Sequence, residues 1–138
     1  MKAYVTGAGG MVGSHLVEAL KKHGYEVVGS YYTPTTDIKE IDPSIRLFEL
    51  DVRKHEAMKA WINDFLPDKI FHLAAQSFPV VSWKDPYYTV DVNVNGTIGL
   101  FEAIHDLSSG FIRKRKFQFK DHILRGGLSI YSIYDGGR

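Results

Sequence analysis

Met1–Gly13 reads MKAYVTGAGGMVG, and this stretch decides the fold. Lys2 to Thr6 is a short run of β-forming residues that stops at a glycine cluster. Glycines at 7, 10 and 13 then open an amphipathic run from Met11 to His23. A strand, a tight glycine turn and a helix in that order present free backbone N–H groups and the positive end of a helix dipole to an anion. Gly7 is expected to make the turn, Gly10 to let the backbone approach a pyrophosphate, and Gly13 to let the helix pack close to the strand. The spacing is G-x-x-G-x-x-G; G-x-G-x-x-G does not fit, because Val12 stands three places after Gly9.

The rest of the chain extends the same alternation. Met11, Val12, Leu16, Val17 and Leu20 share one helical face, and Lys21, Lys22, His23 and Gly24 supply a C-terminal cap. Tyr25–Ser30 reads as a second strand, parallel to the first through its crossover. It runs into Ser30-Tyr31-Tyr32-Thr33 without an acid for a ribose 2′-OH or an arginine for a 2′-phosphate. The missing acid leans towards NADP, since small hydroxyl residues can bond a phosphate; NAD stays open, and Asp37 lies too far along the loop to serve. Ile45–Leu50 is a third strand, followed by Asp51, which spacing alone reads as a turn or helix-cap acid. His55–Leu66 is helical, with Met58, Trp61, Ile62 and Phe65 on its apolar face. Lys69–Ala75 is a fourth strand running into Gln76, and its small residues suit a flat ligand beyond the strand ends. Tyr87–Ile104 reads as one long helix with Val90, Val94, Ile98, Phe101 and Ile104 on its inner face. Four strands alternating with helices make the first half of a doubly wound α/β sheet.

Composition sets the class. The 138 residues carry 44% hydrophobic and 24% charged residues and a formal charge of +1, expected of one soluble domain without a nucleic-acid or anionic-membrane partner. Cysteine is absent, and no apolar run approaches the ~20 residues that span a bilayer. The N-terminus lacks a signal-peptide layout, so a cytoplasmic protein is expected. The histidines at 15, 23, 55, 72, 105 and 122 have no metal-ligand spacing. His72, inside a strand, is expected to be an interior residue with a satisfied ring nitrogen.

Four motifs together resemble the extended short-chain dehydrogenase/reductases (the NAD-dependent epimerase/dehydratase family), and most of all GDP-mannose 4,6-dehydratases. They are Thr6-Gly7-x-x-Gly10-x-x-Gly13, Asp51-Val52, His72-Leu73-Ala74-Ala75-Gln76-Ser77 and Asp91-Val92-Asn93-Val94-Asn95-Gly96-Thr97. The resemblance covers residues 1 to about 105 and implies a Rossmann-type sheet. It implies that Gly7, Gly10, Met11, Val12 and Gly13 line a cofactor pyrophosphate. Asp51 and Val52 would meet the adenine, which reverses the reading of Asp51 from spacing. Leu73, Ala74, Ala75 and Gln76 would lie against the nicotinamide-side ribose, Ser77 would face the substrate, and Asn93 would bond backbone where the helix packs on the sheet. In such enzymes NADP takes a hydride from sugar C4, water leaves across C5 and C6, and the hydride returns at C6. Full-length relatives pair into homo-oligomers, with Tyr87–Ile104 one candidate face.

That chemistry needs a Tyr-x-x-x-Lys pair, in which the lysine lowers the tyrosine pKa. Here Tyr131 precedes Asp135 and Tyr134 precedes Arg138 at that spacing, so no catalytic residue is identified. Residues 106–138 hold seven Lys/Arg against three acids, a balance of +4, whereas residues 1–105 balance at −3. A cofactor-binding half-domain over 1–105 and an atypical tail over 106–138 are therefore expected. An out-of-frame read is the favoured source of that tail, ahead of natural truncation or divergence. The segment 111–120 fits neither strand nor helix. A half-sheet of this kind is expected to leave one strand edge exposed. Two functions are consistent with these features: a nucleotide-sugar 4,6-dehydratase (or an epimerase or 4-keto reductase of the same superfamily) present as an inactive fragment, or a non-catalytic dinucleotide-binding module.

Overall fold

The structure, a computed structural model, describes residues 1–109, 117–124 and 128–135. Its elements are β1 (Lys2–Thr6), α1 (Met11–Lys22), β2 (Glu26–Tyr31), β3 (Arg46–Glu49), α2 (His55–Phe65), β4 (Lys69–His72), α3 (Pro79–Lys84), α4 (Pro86–Val90), a π-helical turn over Asp91–Asn95, α5 (Gly96–Ser109), β5 (Phe117–Leu124) and β6 (Leu128–Asp135). Strands β3-β2-β1-β4 run parallel in that order, with Thr6 opposite Ser30 on one side and His72 on the other. This is the Rossmann-type half-sheet that the alternation predicts.

Successive β-strand side chains point to opposite faces, so β1 feeds two cores at once. Tyr4 joins Val28, Ile70, Met58, Ile62 and Leu100 on the face covered by α2 and α5. Val5 joins Val27, Ala8 and Val17 on the face covered by α1. Helix α2 buries its expected stripe, with Met58, Ile62 and Phe65 inside and Trp61 packed against them. It ends where Leu66 turns left-handed (φ 53°) before Pro67. Helix α1 departs from expectation at its start. Val17 is buried with Leu16 and Leu20 packed against it, whereas Met11 and Val12 are exposed at the helix mouth.

The expected helix over 87–104 is not one continuous α-helix. The π turn at Asp91–Asn95 adds a residue to the helical repeat and rotates the residues after it. Val92, Leu100, Ala103 and Ile104 face the core, while Val90, Val94 and Ile98 lie about half exposed. Trp83 in α3 and Tyr87 in α4 are exposed as well.

The segment after 116 corrects two further expectations. β5 and β6 pair antiparallel over their full lengths, and β6 joins β4 antiparallel at Phe71 opposite Ser132. The outer edge of β4 is thus taken up within the chain. Aromatic and β-branched residues (Phe117, Phe119, Ile123, then Ile130, Tyr131, Ile133, Tyr134) favour extended backbone there despite the basic content. Residues 111–116 lie outside the described part.

Candidate cofactor cleft

Thr6 ends β1, and Gly7 comes next at φ +72°, a left-handed conformation that an L side chain rarely adopts. A Cβ there would stand 2.7 Å from the Ala74 nitrogen, so the turn also needs glycine to pass the chain leaving β4. The approach at Gly13 is closer still: a Cβ would run into the backbone of Gly7 and Ala8. The first turn of α1 is therefore seated on the glycine turn. Gly10 is less demanding, a Cβ coming no nearer than 3.4 Å to Gly7 O. Gly10 is also the N-cap and offers no side chain to the helix start; the Ser14 N–H is the first to bond back, to Gly10 O at 2.9 Å. The N–H groups of the first turn, with the positive end of the α1 dipole, are left for an anion.

These features open onto a cleft of about 600 Å³ at the C-terminal ends of the parallel strands. Gly7, Gly10, Met11, Val12, Gly13, Asp51, Val52, Leu73, Ala74, Ala75, Gln76 and Ser77 all line it, drawn from three separated segments. Tyr31, Tyr32, Thr33, Pro34 and Thr35 form a wall that motif reading leaves out, as do Leu50, Phe78, Val81 and Tyr88. The sequence signal for the first group is its place directly after β2. The loop is pinned there by the Thr35 and Thr36 N–H groups, both donating to Gly9 O at 3.0 Å. Asp37 does not line the cleft; its carboxylate caps the short 3-10 turn at Lys39. Ser30, a candidate phosphate-bonding hydroxyl by sequence, instead bonds the Tyr4 hydroxyl at 2.8 Å inside the core.

A chain of hydrogen bonds fixes the cleft floor. The Leu73 and Ala74 N–H groups both donate to Thr6 Oγ1 at 3.2 Å. The Thr6 hydroxyl then donates to His72 Nδ1, 2.7 Å away. On the other side of the ring, the Thr97 hydroxyl donates to Asn93 O at 2.7 Å, so it accepts from His72 Nε2–H at 3.1 Å. The histidine is therefore neutral with its proton on Nε2, and burial pushes its pKa down to about 4. His72 is the satisfied interior residue that its place in a strand predicts.

Asn93 grips the next step of the same loop. Its Oδ1 accepts from the Gln76 N–H at 2.7 Å and its Nδ2 donates to Gln76 O at 2.9 Å. The Gln76 side chain is turned into its own loop, donating to Phe78 O, Ser82 Oγ and Thr89 Oγ1 and accepting from the Phe78 N–H. Gln76 thus ties down the segment that carries α3 and α4 as well as bordering the cleft. Asp51 accepts the Arg53 N–H at 3.0 Å and a two-pronged contact from the Arg53 guanidinium, the shortest limb 2.6 Å. Burial acts to raise the Asp51 pKa, but the bonds from Arg53 hold the carboxyl below its ordinary range. Asp51 is both the turn acid that its spacing suggests and a lining residue. No helix of the described residues is long and apolar enough to cross a membrane, and no group of three or more His or acidic residues among them could hold a metal ion.

The arrangement suits a nucleotide with a diphosphate: an uncapped helix start seated on a tight glycine turn, and apolar walls. Among the described lining residues Asp51 is the one charged side chain.

Comparison with known proteins agrees with this geometry. A family model described as GDP-mannose 4,6 dehydratase matches residues 4–120, further than the 1 to about 105 over which the sequence motifs carry the resemblance. GDP-mannose 4,6 dehydratase 2 of Arabidopsis thaliana is 35% identical over 122 residues, covering 78% of this chain and 33% of that protein. UDP-glucose 4-epimerase of Lactobacillus helveticus is 31% identical over 112 residues, covering 81% of this chain and 34% of that protein. The crystal structure of the Thermus thermophilus UDP-glucose 4-epimerase in complex with NAD superposes with a TM-score of 0.71 at 33% identity, over 77% of this chain and 34% of that one. The chain spans about a third of the length of the curated relatives it matches. With its glycine turn, Asp51-Val52 step and His72–Ser77 segment gathered around one cleft, this chain belongs to the GDP-mannose 4,6 dehydratase family of extended short-chain dehydrogenase/reductases.

Proposed function

We propose that this chain binds a nicotinamide dinucleotide and is the cofactor-holding part of a nucleotide-sugar 4,6-dehydratase acting on GDP-mannose. One observation carries the reading: the cleft opens between β1 and β4, where the strand order reverses, with the uncapped start of α1 beneath it. The nicotinamide, when bound, supplies hydride chemistry. The chain's own part is to bind and orient. The α1 N–H groups and Gly7, Gly10 and Gly13 take the diphosphate, Asp51 and Val52 the base, and Leu73 to Gln76 the nicotinamide side. Ser77 stands exposed at the substrate end.

The lining favours NAD over NADP, against the lean of the sequence. A 2′-phosphate adds roughly two negative charges, and the wall after β2 offers it hydroxyls of Tyr32, Thr33 and Thr35 but no cation. Likeness to UDP-glucose 4-epimerases supports a second reading, epimerisation, in which the sugar nucleotide differs and the cofactor cleft does not. We read the 138-residue chain as inactive in dehydration, because it has no Tyr-x-x-x-Lys pair. Titration of the full chain with NADH and NADPH, followed by nicotinamide fluorescence, tests the cofactor reading. NADH should bind the more tightly; binding of neither refutes it. Incubation with GDP-mannose and NAD should release no 4-keto-6-deoxy sugar, and its appearance would refute the inactive reading.

A further inference from the structure

We infer that Arg53 is a positioning residue that makes the cleft selective for adenine, by holding the Asp51 carboxylate in one orientation. The inference rests on the dinucleotide reading above. Asp51 lines the cleft and is 9% exposed, whereas Arg53 does not line it. Arg53 holds that carboxylate from three donors. Its N–H donates to Oδ1 at 3.0 Å, Nε reaches Oδ1 at 3.1 Å and Oδ2 at 3.0 Å, and Nη2 reaches Oδ2 at 2.6 Å. The guanidinium is in turn fixed from α4 and the π turn, its carbon 4.8 Å from the centre of the Tyr88 ring and Nη1 3.7 Å from the Asp91 carboxylate. One rigid fork thus sets the carboxylate plane, and an aromatic face and a second acid set the fork.

An ionised carboxylate only accepts hydrogen bonds, at about four lone-pair positions. Three Arg53 donors, one of them shared between the oxygens, leave room for a further donor from the cleft. The exocyclic amine of adenine is such a donor; hypoxanthine carries a carbonyl oxygen at that position, which an ionised carboxylate repels. Burial works against the ionised form at this site. Without Arg53 the Asp51 carboxylate loses the fork that fixes its plane, and its lone pairs are no longer directed at the amine position. Selectivity between the two bases therefore depends on a residue that touches neither.

The test is calorimetric titration of the full chain with NAD and with nicotinamide hypoxanthine dinucleotide. The wild type should prefer NAD by about tenfold, the scale of one charge-assisted hydrogen bond. In Arg53→Gln the two affinities should converge to within about twofold, chiefly through weaker NAD binding. Arg53→Lys keeps the charge but not the fork, so its preference should fall between the two, and it decides the matter if the glutamine variant does not fold. Either variant keeping the wild-type ratio, including by losing both ligands equally, overturns the inference. A wild type that binds both dinucleotides equally overturns it and leaves the dinucleotide reading standing. A wild type that binds neither overturns both.

Discussion

Protonating His72 should cost this protein a large share of its stability, and the window is set by the structure. The imidazole is 5% exposed and sits between two threonine hydroxyls, one donating to Nδ1 and one accepting from Nε2–H. A second ring proton would face the Thr6 hydroxyl hydrogen, whose oxygen already accepts from two backbone N–H groups. Burial lowers the His72 pKa from 6.5 to about 4 in the folded chain. Between those values the unfolded chain carries a proton that the folded chain does not, so stability rises with pH there. It is full above about pH 6.5 and lost as pH falls towards 4. A shift of that size corresponds to about 3 kcal/mol, against the ~5–15 kcal/mol that holds a typical domain together. Asp42, Asp51 and Asp106 all have lowered carboxyl pKa values and titrate below this window. Urea unfolding at pH 7.5, 6.5, 5.5 and 4.5, followed through Trp61 in the α2–α5 core, should show the midpoint falling steadily. His72→Gln stays neutral throughout and should lose most of that pH dependence. A flat wild-type profile, or an equal slope in the variant, would refute the assignment of a neutral, doubly bonded His72.

Two other substitutions probe the cleft directly. Gly13→Ala drives a methyl group into the backbone of Gly7 and Ala8, so α1 must lift off the turn; we expect about 1–3 kcal/mol of destabilisation and at least a tenfold loss of NADH affinity. Unchanged fluorescence titrations would show that the α1 seat is not part of the ligand site. Asn93→Ala leaves the Gln76 N–H and C=O without their side-chain partners. A loss of about 1–3 kcal/mol and faster proteolysis within 76–89 are expected, and wild-type values for both would remove Asn93 from its role as clamp.

Much of this was legible without coordinates because it is local chemistry. The glycine turn is specified above all by Gly7 and Gly13, whose φ or packing admits no side chain, and the α2 stripe by 3.6-residue periodicity next to a proline stop. The same periodicity misled over 87–104, where apolar residues occupy two stripes. Periodicity shows that a stripe exists and not which one meets a partner: Ile104 is buried as expected, but the π turn brings Val92, Leu100 and Ala103 to the core in place of Val90, Val94 and Ile98. Composition sets residues 106–138 apart; within them β6 pairs with β4, because strand pairing depends on backbone groups and extended conformers more than on net charge.

From its residues alone the chain reveals the order of β1 to β4 with the helices between them, the glycine turn, the motif residues that border the cleft and the family. Those depend on neighbours within a few positions along the chain. Tertiary structure alone decided what each polar group faces. The Ser30 hydroxyl went to Tyr4, His72 to Thr6 and Thr97, and Gln76 to Asn93, across separations of 17 to 66 residues. Burial makes each of those pairings obligatory, since a buried polar group without a partner is costly. Which partner it finds is fixed only when the sheet brings distant strands into register.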